Sequence, residues 1–143
     1  MIVVDASVAI KWVLEEEHTE QARALYRACL RDDVTIIAPP LLPSEVANTL
    51  RQRMRSTPSM PRANALALLD RFLSLSIEIR APENLHRQAL ILAADFDLPA
   101  VYDAQYLVLA QFYGCDLWTA DQRFRQRLNG AFPFVRWIGD YVA

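Results

Sequence analysis

Met1-Ile2-Val3-Val4-Asp5-Ala6-Ser7-Val8 is a short β-branched apolar run that stops at a carboxylate. Unbroken apolar character over so few residues fits a strand buried on both faces, as in a parallel sheet, and Asp5 or Ser7 can cap the helix that follows. The chain therefore opens β then α, and the same alternation continues outward. Ala22, Leu25, Tyr26 and Cys29 recur at helical spacing and predict a helix over Thr19 to Arg31. Val34 to Ala38 is the next β-branched run, and Pro43-Ser44-Glu45 starts a helix with Val46, Leu50 and Met54 as its inner stripe.

The breaker cluster Ser56 to Pro61 separates that helix from another over Arg62 to Leu75. A third strand follows at Ser76 to Arg80, then a helix from Glu83 to Phe96 that Leu98-Pro99 ends. Asp103 to Tyr113 is apolar nearly all round, which describes the most buried helix, and Gly114 is its left-handed cap. Asp116 to Thr119, Asp121 to Asn129 and Phe134 to Ile138 complete the pattern as strand, helix and strand. The expectation is a three-layer α/β/α sandwich around a mainly parallel sheet of about five strands, formed by residues 1–143 as one domain.

Composition narrows the function classes. The net charge is −2, which excludes the strongly basic, wrapping kind of nucleic-acid binder. Lys11 is the one lysine, and the arginines gather as Arg51, Arg53, Arg55 and Arg62, then Arg123, Arg125 and Arg127. Guanidinium forks match phosphate, so Arg51, Arg55, Arg123 and Arg127 are candidates for following a nucleic-acid backbone; solvated helix faces would look the same. Apolar runs reach about five residues, far short of the roughly twenty that a membrane span needs, so a soluble protein is expected. Cys29 and Cys115, far apart in a sequence with no secretory leader, read as reduced thiols of a cytoplasmic protein; no His or Cys spacing suits zinc, and three glycines leave no phosphate loop.

Four acids stand where an apolar, structure-forming stretch is better without charge: Asp5, Glu45, Asp103 and Asp121. Asp5 and Asp121 close strands, while Glu45 and Asp103 open helices, so all four belong to the sheet edge where open α/β folds bind ligands. Helix capping and the helix dipole account for any one of them taken singly. Together they repel: two carboxylates about 5 Å apart oppose each other by roughly 3 kcal/mol at an effective dielectric near 20. Lys11 is not expected nearby to offset this, which leaves protonation or divalent cations, and carboxylate oxygens suit Mg²⁺ or Mn²⁺. Ser7, Thr119 and Asn48 are hydroxyl and amide groups placed to support those acids.

Val3-Val4-Asp5-Ala6-Ser7-Val8, Ser44-Glu45-Val46-Ala47-Asn48, Tyr102-Asp103-Ala104-Gln105-Tyr106-Leu107 and Thr119-Ala120-Asp121 resemble the acidic motifs of PIN-domain ribonucleases, specifically the VapC toxins of prokaryotic toxin-antitoxin pairs. The resemblance covers almost the whole chain with the motifs in order. It implies a metal-dependent endoribonuclease in which Asp5, Glu45, Asp103 and Asp121 bind Mg²⁺ or Mn²⁺, supported by Ser7 and Thr119. It further implies RNA as substrate, transfer RNA being one choice, cleavage to 5′-phosphate and 3′-hydroxyl ends, a homodimer, and inhibition by a cognate VapB antitoxin. Trp12, Val13 and Leu14 belong to such an interface or to the core.

Other classes share part of the pattern. Haloacid-dehalogenase-like phosphatases also place an Asp after strand one, but expect a second acid where Ser7 stands and a catalytic lysine. A phospho-receiver domain needs paired acids and a late lysine. A catalytically silent PIN-like scaffold would keep the fold alone.

Overall fold

Ile2–Val4 forms β1, enclosed on both sides as its β-branched composition requires, in a computed structural model that describes residues 1–143. Asp5 turns the chain into α1 (Ala6–Ala9), which tightens into a 3₁₀ turn, Ile10–Trp12. Then follow α2 (Thr19–Arg31), β2 (Ile36–Ala38), α3 (Leu42–Arg55), α4 (Arg62–Leu73), β3 (Glu78–Ile79), α5 (Leu85–Asp95), α6 (Tyr102–Tyr113), β4 (Leu117–Thr119), α7 (Gln122–Leu128) and β5 (Val135–Trp137).

The five strands form one sheet in the order β3-β2-β1-β4-β5, and every pairing is parallel. Register runs Ile2 to Ile36, Val3 to Leu117 and Thr119 to Trp137. Parallel neighbours need crossover connections, and the right-handed rule sends the helices after β1 and β2 to one face and those after β3 and β4 to the other. The α/β/α sandwich read from the sequence is the observed architecture, with a sheet that is wholly rather than mainly parallel. Its third strand is shorter than Ser76 to Arg80, because both residues of β3 are exposed at the sheet edge and little holds a longer ladder there.

The core runs through the middle strands and α6, with Val3, Val4, Ile37, Leu107, Leu109 and Leu117 fully enclosed. Ala104 to Ala110 are all buried, and Gly114 closes α6 at φ +62, a backbone region that costs glycine little. Trp12, Val13 and Leu14 pack into this same core, which resolves their reading: they are interior residues, and the Trp12 indole donates to the Ala22 carbonyl at 2.8 Å. No helix is long and apolar enough to cross a membrane.

With β1 and β4 adjacent, the chain departs toward β2 on one side and toward β5 on the other. That divergence opens a crevice beyond the carboxyl ends of β1 and β4, where ligands bind in sheets of this kind.

Candidate active site

Asp5 sits at the base of this crevice, 5% exposed. It caps α1: its Oδ1 accepts from the Val8 backbone N–H at 3.1 Å and from the Ser7 hydroxyl. Ser7 in turn accepts from the Ala120 N–H at 2.8 Å, so one hydroxyl ties the turn after β1 to the turn after β4. The fully buried Thr119 accepts from the Asp121 N–H at 3.0 Å, and Asp121 caps α7 by accepting from the Phe124 N–H at 3.1 Å. Capping is thus real at Asp5 and Asp121, and it also fixes where both carboxylates stand.

Glu45 and Asp103 come from the first turns of α3 and α6. All four acids line one cleft of about 370 Å³, together with Ser7, Asn48 and Tyr106. In sequence the helical stripe of Glu45, Asn48, Thr49 and Gln52 is polar and compatible with a face turned to water. The structure instead half-buries it and gives it the Tyr106 hydroxyl, which donates to Oε1 at 2.7 Å. Tyr106 is 1% exposed and reads in sequence as one more core aromatic. Only the pairing of helices 61 positions apart reveals its second task.

The cleft is electrostatically crowded. Burial pushes Asp5 up to about 6, against the opposing hydrogen bonds from Ser7, Thr119 and Val8, and Asp103 adds to the rise. Burial likewise raises Glu45 to about 7; the Tyr106 hydroxyl opposes this, while Asp103 and Asp5 reinforce it. Asp103 is raised by burial and then by Asp121, with Arg127 acting in the other direction. Tyr106 is held protonated far above the usual phenol range by burial and by Glu45. These influences join all four acids into one coupled set.

Lys11 corrects the expectation that no lysine is near. It lines the cleft, is 7% exposed, and its Nζ meets Glu16 Oε2 at 3.0 Å. Glu16 also holds Arg53 at 2.7 Å, so one carboxylate is shared by two cations and the Lys11-Glu16-Arg53 group keeps a net positive charge at the margin of the acid cleft. No signal in the sequence marked Lys11, which follows an apolar run and reaches the cleft through the 3₁₀ turn.

Asn48 lines the cleft as an exposed side chain with no hydrogen bond in the fold. The backbone-following candidates Arg51, Arg55 and Arg123 are exposed on α3 and α7 and make no ion pair. Arg127 is exposed too, and acts electrostatically on Asp103. His18 packs edge-on against Trp137 and His86 is exposed, both outside the cleft.

An all-oxygen donor set of mutually repelling carboxylates suits a hard divalent cation. No three His, Cys, Asp or Glu side chains form a ready-made cage, and the arrangement suits an ion such as Mg²⁺ that binds through one or two carboxylates and keeps several waters. A second, larger cleft of about 780 Å³ lies between α7 and β5, but none of the four acids lines it. The chemistry therefore places the candidate active site in the smaller cleft.

A family model described as PIN domain matches residues 2–127. Among solved structures, VapC20 of Mycobacterium tuberculosis, described as a toxin that cleaves the sarcin-ricin loop, superposes with a TM-score of 0.68 at 17% identity, over 88% of this chain and 94% of its own. PAE2754 of Pyrobaculum aerophilum superposes with a TM-score of 0.69 at 23% identity, over 96% of this chain and 90% of its own. No curated protein matches the chain.

Proposed function

The chain belongs to the PIN domain family, and from that membership we propose that it is a metal-dependent endoribonuclease of the VapC type. The observation that carries this reading is the convergence of Asp5, Glu45, Asp103 and Asp121, drawn from four separate stretches of sequence, on one cleft at the sheet's switch point. Asp5, Glu45, Asp103 and Asp121 are the residues that would hold Mg²⁺ or Mn²⁺. When bound, such an ion supplies an activated water and offsets charge on the scissile phosphate and the departing 3′ oxygen.

The protein's own groups do the rest. Ser7 and Thr119 hold the two turns that carry Asp5 and Asp121 at a fixed separation. Tyr106 orients Glu45 and favours its ionised form. Arg127, beside Asp103, and the free arginines of α3 and α7 draw an RNA backbone toward a cleft that would otherwise repel it.

The phospho-receiver alternative fits less well, since that fold orders its strands 2-1-3-4-5 whereas this sheet is 3-2-1-4-5. A phosphatase would need an acid where Ser7 donates to Asp5. The reading extends to a cognate VapB-type antitoxin and a homodimer in the cytoplasm. Exposed Leu66, Leu73 and Leu90 provide apolar surface for such partners. The test of the activity is cleavage of single-stranded and transfer RNA in Mn²⁺. Asp103→Asn is expected to keep a cooperative melt and lose at least a hundredfold in rate, about 3 kcal/mol of transition-state stabilisation, with the same loss in EDTA. Undiminished cutting by Asp103→Asn, or in EDTA, defeats the proposal.

A further inference from the structure

The larger cleft adjoins the first along the chain, since Ala120 and Asp121 line one and Gln122 lines the other. Helix α7 divides its side chains three ways. Phe124 and Leu128, one turn apart, are buried. Arg123 and Arg127, also one turn apart, are exposed, and Arg127 acts on Asp103. Gln122, Arg125, Gln126 and Asn129 recur at i, i+3, i+4 and i+7 and line the cleft. Trp118 of β4 and Trp137 of β5 line it as well. Trp137 is the ladder partner of Thr119, which puts this indole at the same edge of the sheet as the acids.

Charge decides what the cleft can take. Its two arginines are matched by two aspartates: Arg136 Nε meets Asp116 Oδ2 at 3.3 Å, and Arg125 Nη2 lies 3.9 Å from Asp140 Oδ2. With no net charge and both cations engaged, it is poorly made for a phosphate. What remains is three carboxamides, each a donor and an acceptor, beside two indoles. Amide pairs reading a base edge, with aromatic rings for its face, are how proteins bind unpaired nucleobases. The Trp137 Nε1–H is also the one buried side-chain polar atom in the molecule without a hydrogen-bond partner.

We propose that the cleft between α7 and β5 holds one unpaired nucleobase of an RNA strand whose backbone crosses the acid cleft, so that base identity at one position beside the scissile phosphate selects the cutting site. Base binding stands on the second cleft alone; its role in site selection rests on the ribonuclease reading.

The test uses single-stranded RNA pentamers in which an abasic ribose replaces each base in turn, titrated in EDTA so that nothing is cut and followed by tryptophan fluorescence. The wild type is expected to lose about tenfold in affinity when one particular position is abasic. Gln126→Ala, an exposed change on α7, is expected to bind the intact pentamer as weakly as the wild type binds that abasic one, and to lose the positional sensitivity. Gln122→Ala provides a second variant of the same face. The proposal is overturned if no pentamer binds, if no position matters, or if both variants keep the wild-type sensitivity. Absent cleavage in Mn²⁺ with base binding intact would instead remove only the ribonuclease reading. Where cleavage occurs, Gln126→Ala should cut disfavoured and favoured sites at similar rates.

Discussion

Tyr106 holds the Glu45 carboxylate with a hydrogen bond of 2.7 Å while its ring fills the core between α6 and its neighbours. Tyr106→Phe keeps the packing and removes the donor. A bond to a charged group contributes about 1.5–3 kcal/mol, reduced here because half-exposed Glu45 can turn to water, so a loss of about 1 kcal/mol is expected in urea denaturation. The same bond lowers the Glu45 pKa, so without it Glu45 climbs above its value of about 7. The pH midpoint of Mn²⁺-dependent cleavage should accordingly move alkaline; an unmoved midpoint would show that Glu45 does not limit the reaction. Ser7→Ala removes the link between the two acidic turns and strands the Ala120 N–H, for a loss of about 1–3 kcal/mol. Ser7 and Thr119 were legible in the sequence because each adjoins an acid at an element boundary. Tyr106 and Lys11 were not, because their polar partners are set by tertiary packing that no periodicity encodes.

Among the elements, α6 shows where sequence pattern is strong and where it fails. Its unbroken apolar character marks a helix packed on several sides, and Ala104 to Ala110 are indeed all buried. Leu107→Ala, at a fully enclosed position, should cost about 2–5 kcal/mol, whereas Phe112→Ala, at 66% exposure on the same helix, should stay within about 0.5 kcal/mol. Equal losses in chemical denaturation would mean that Phe112 is covered in solution, by a second copy for instance. A breaker marks the start of α4 at Arg62 after the proline cluster, while α2 keeps the limits Thr19 and Arg31 with no side-chain cap at its start. Strand bounds were overestimated by one to three residues, most at β3, because a ladder ends where its neighbour ends and β-branched residues beyond that point have nothing to pair with. The cleft between α7 and β5 escaped the sequence entirely, since its two walls meet only through the crossover.

Concentrating four acids at one edge couples the stability of the whole molecule to pH. Asp5 rises from 3.8 to about 6 and Glu45 from 4.5 to about 7 on folding. Both folded values exceed the unfolded ones, so their stabilising contribution is complete below the unfolded pKa and is lost as pH climbs through 6 and 7. For deeply buried Asp5 the shift corresponds to about 3 kcal/mol, while half-exposed Glu45 adds less than its shift suggests because solvent screens it. In EDTA the protein should therefore be more stable near pH 5 than near pH 8, by about 2–4 kcal/mol in urea titrations, and Asp5→Asn should remove about 1.4 kcal/mol of that difference, Glu45 carrying the rest. A divalent ion bound by the ionised acids must act with the opposite pH dependence, since protons compete for the same oxygens. At a hundred times its dissociation constant Mn²⁺ adds about 2.7 kcal/mol, or about 5–10 °C in Tm for a chain of this size. That gain should appear near pH 8 and largely vanish near pH 5. An increase in Tm that ignores pH, or that survives Asp103→Asn unchanged, would mean that the ion binds elsewhere and that the acid cleft is relieved by protons alone.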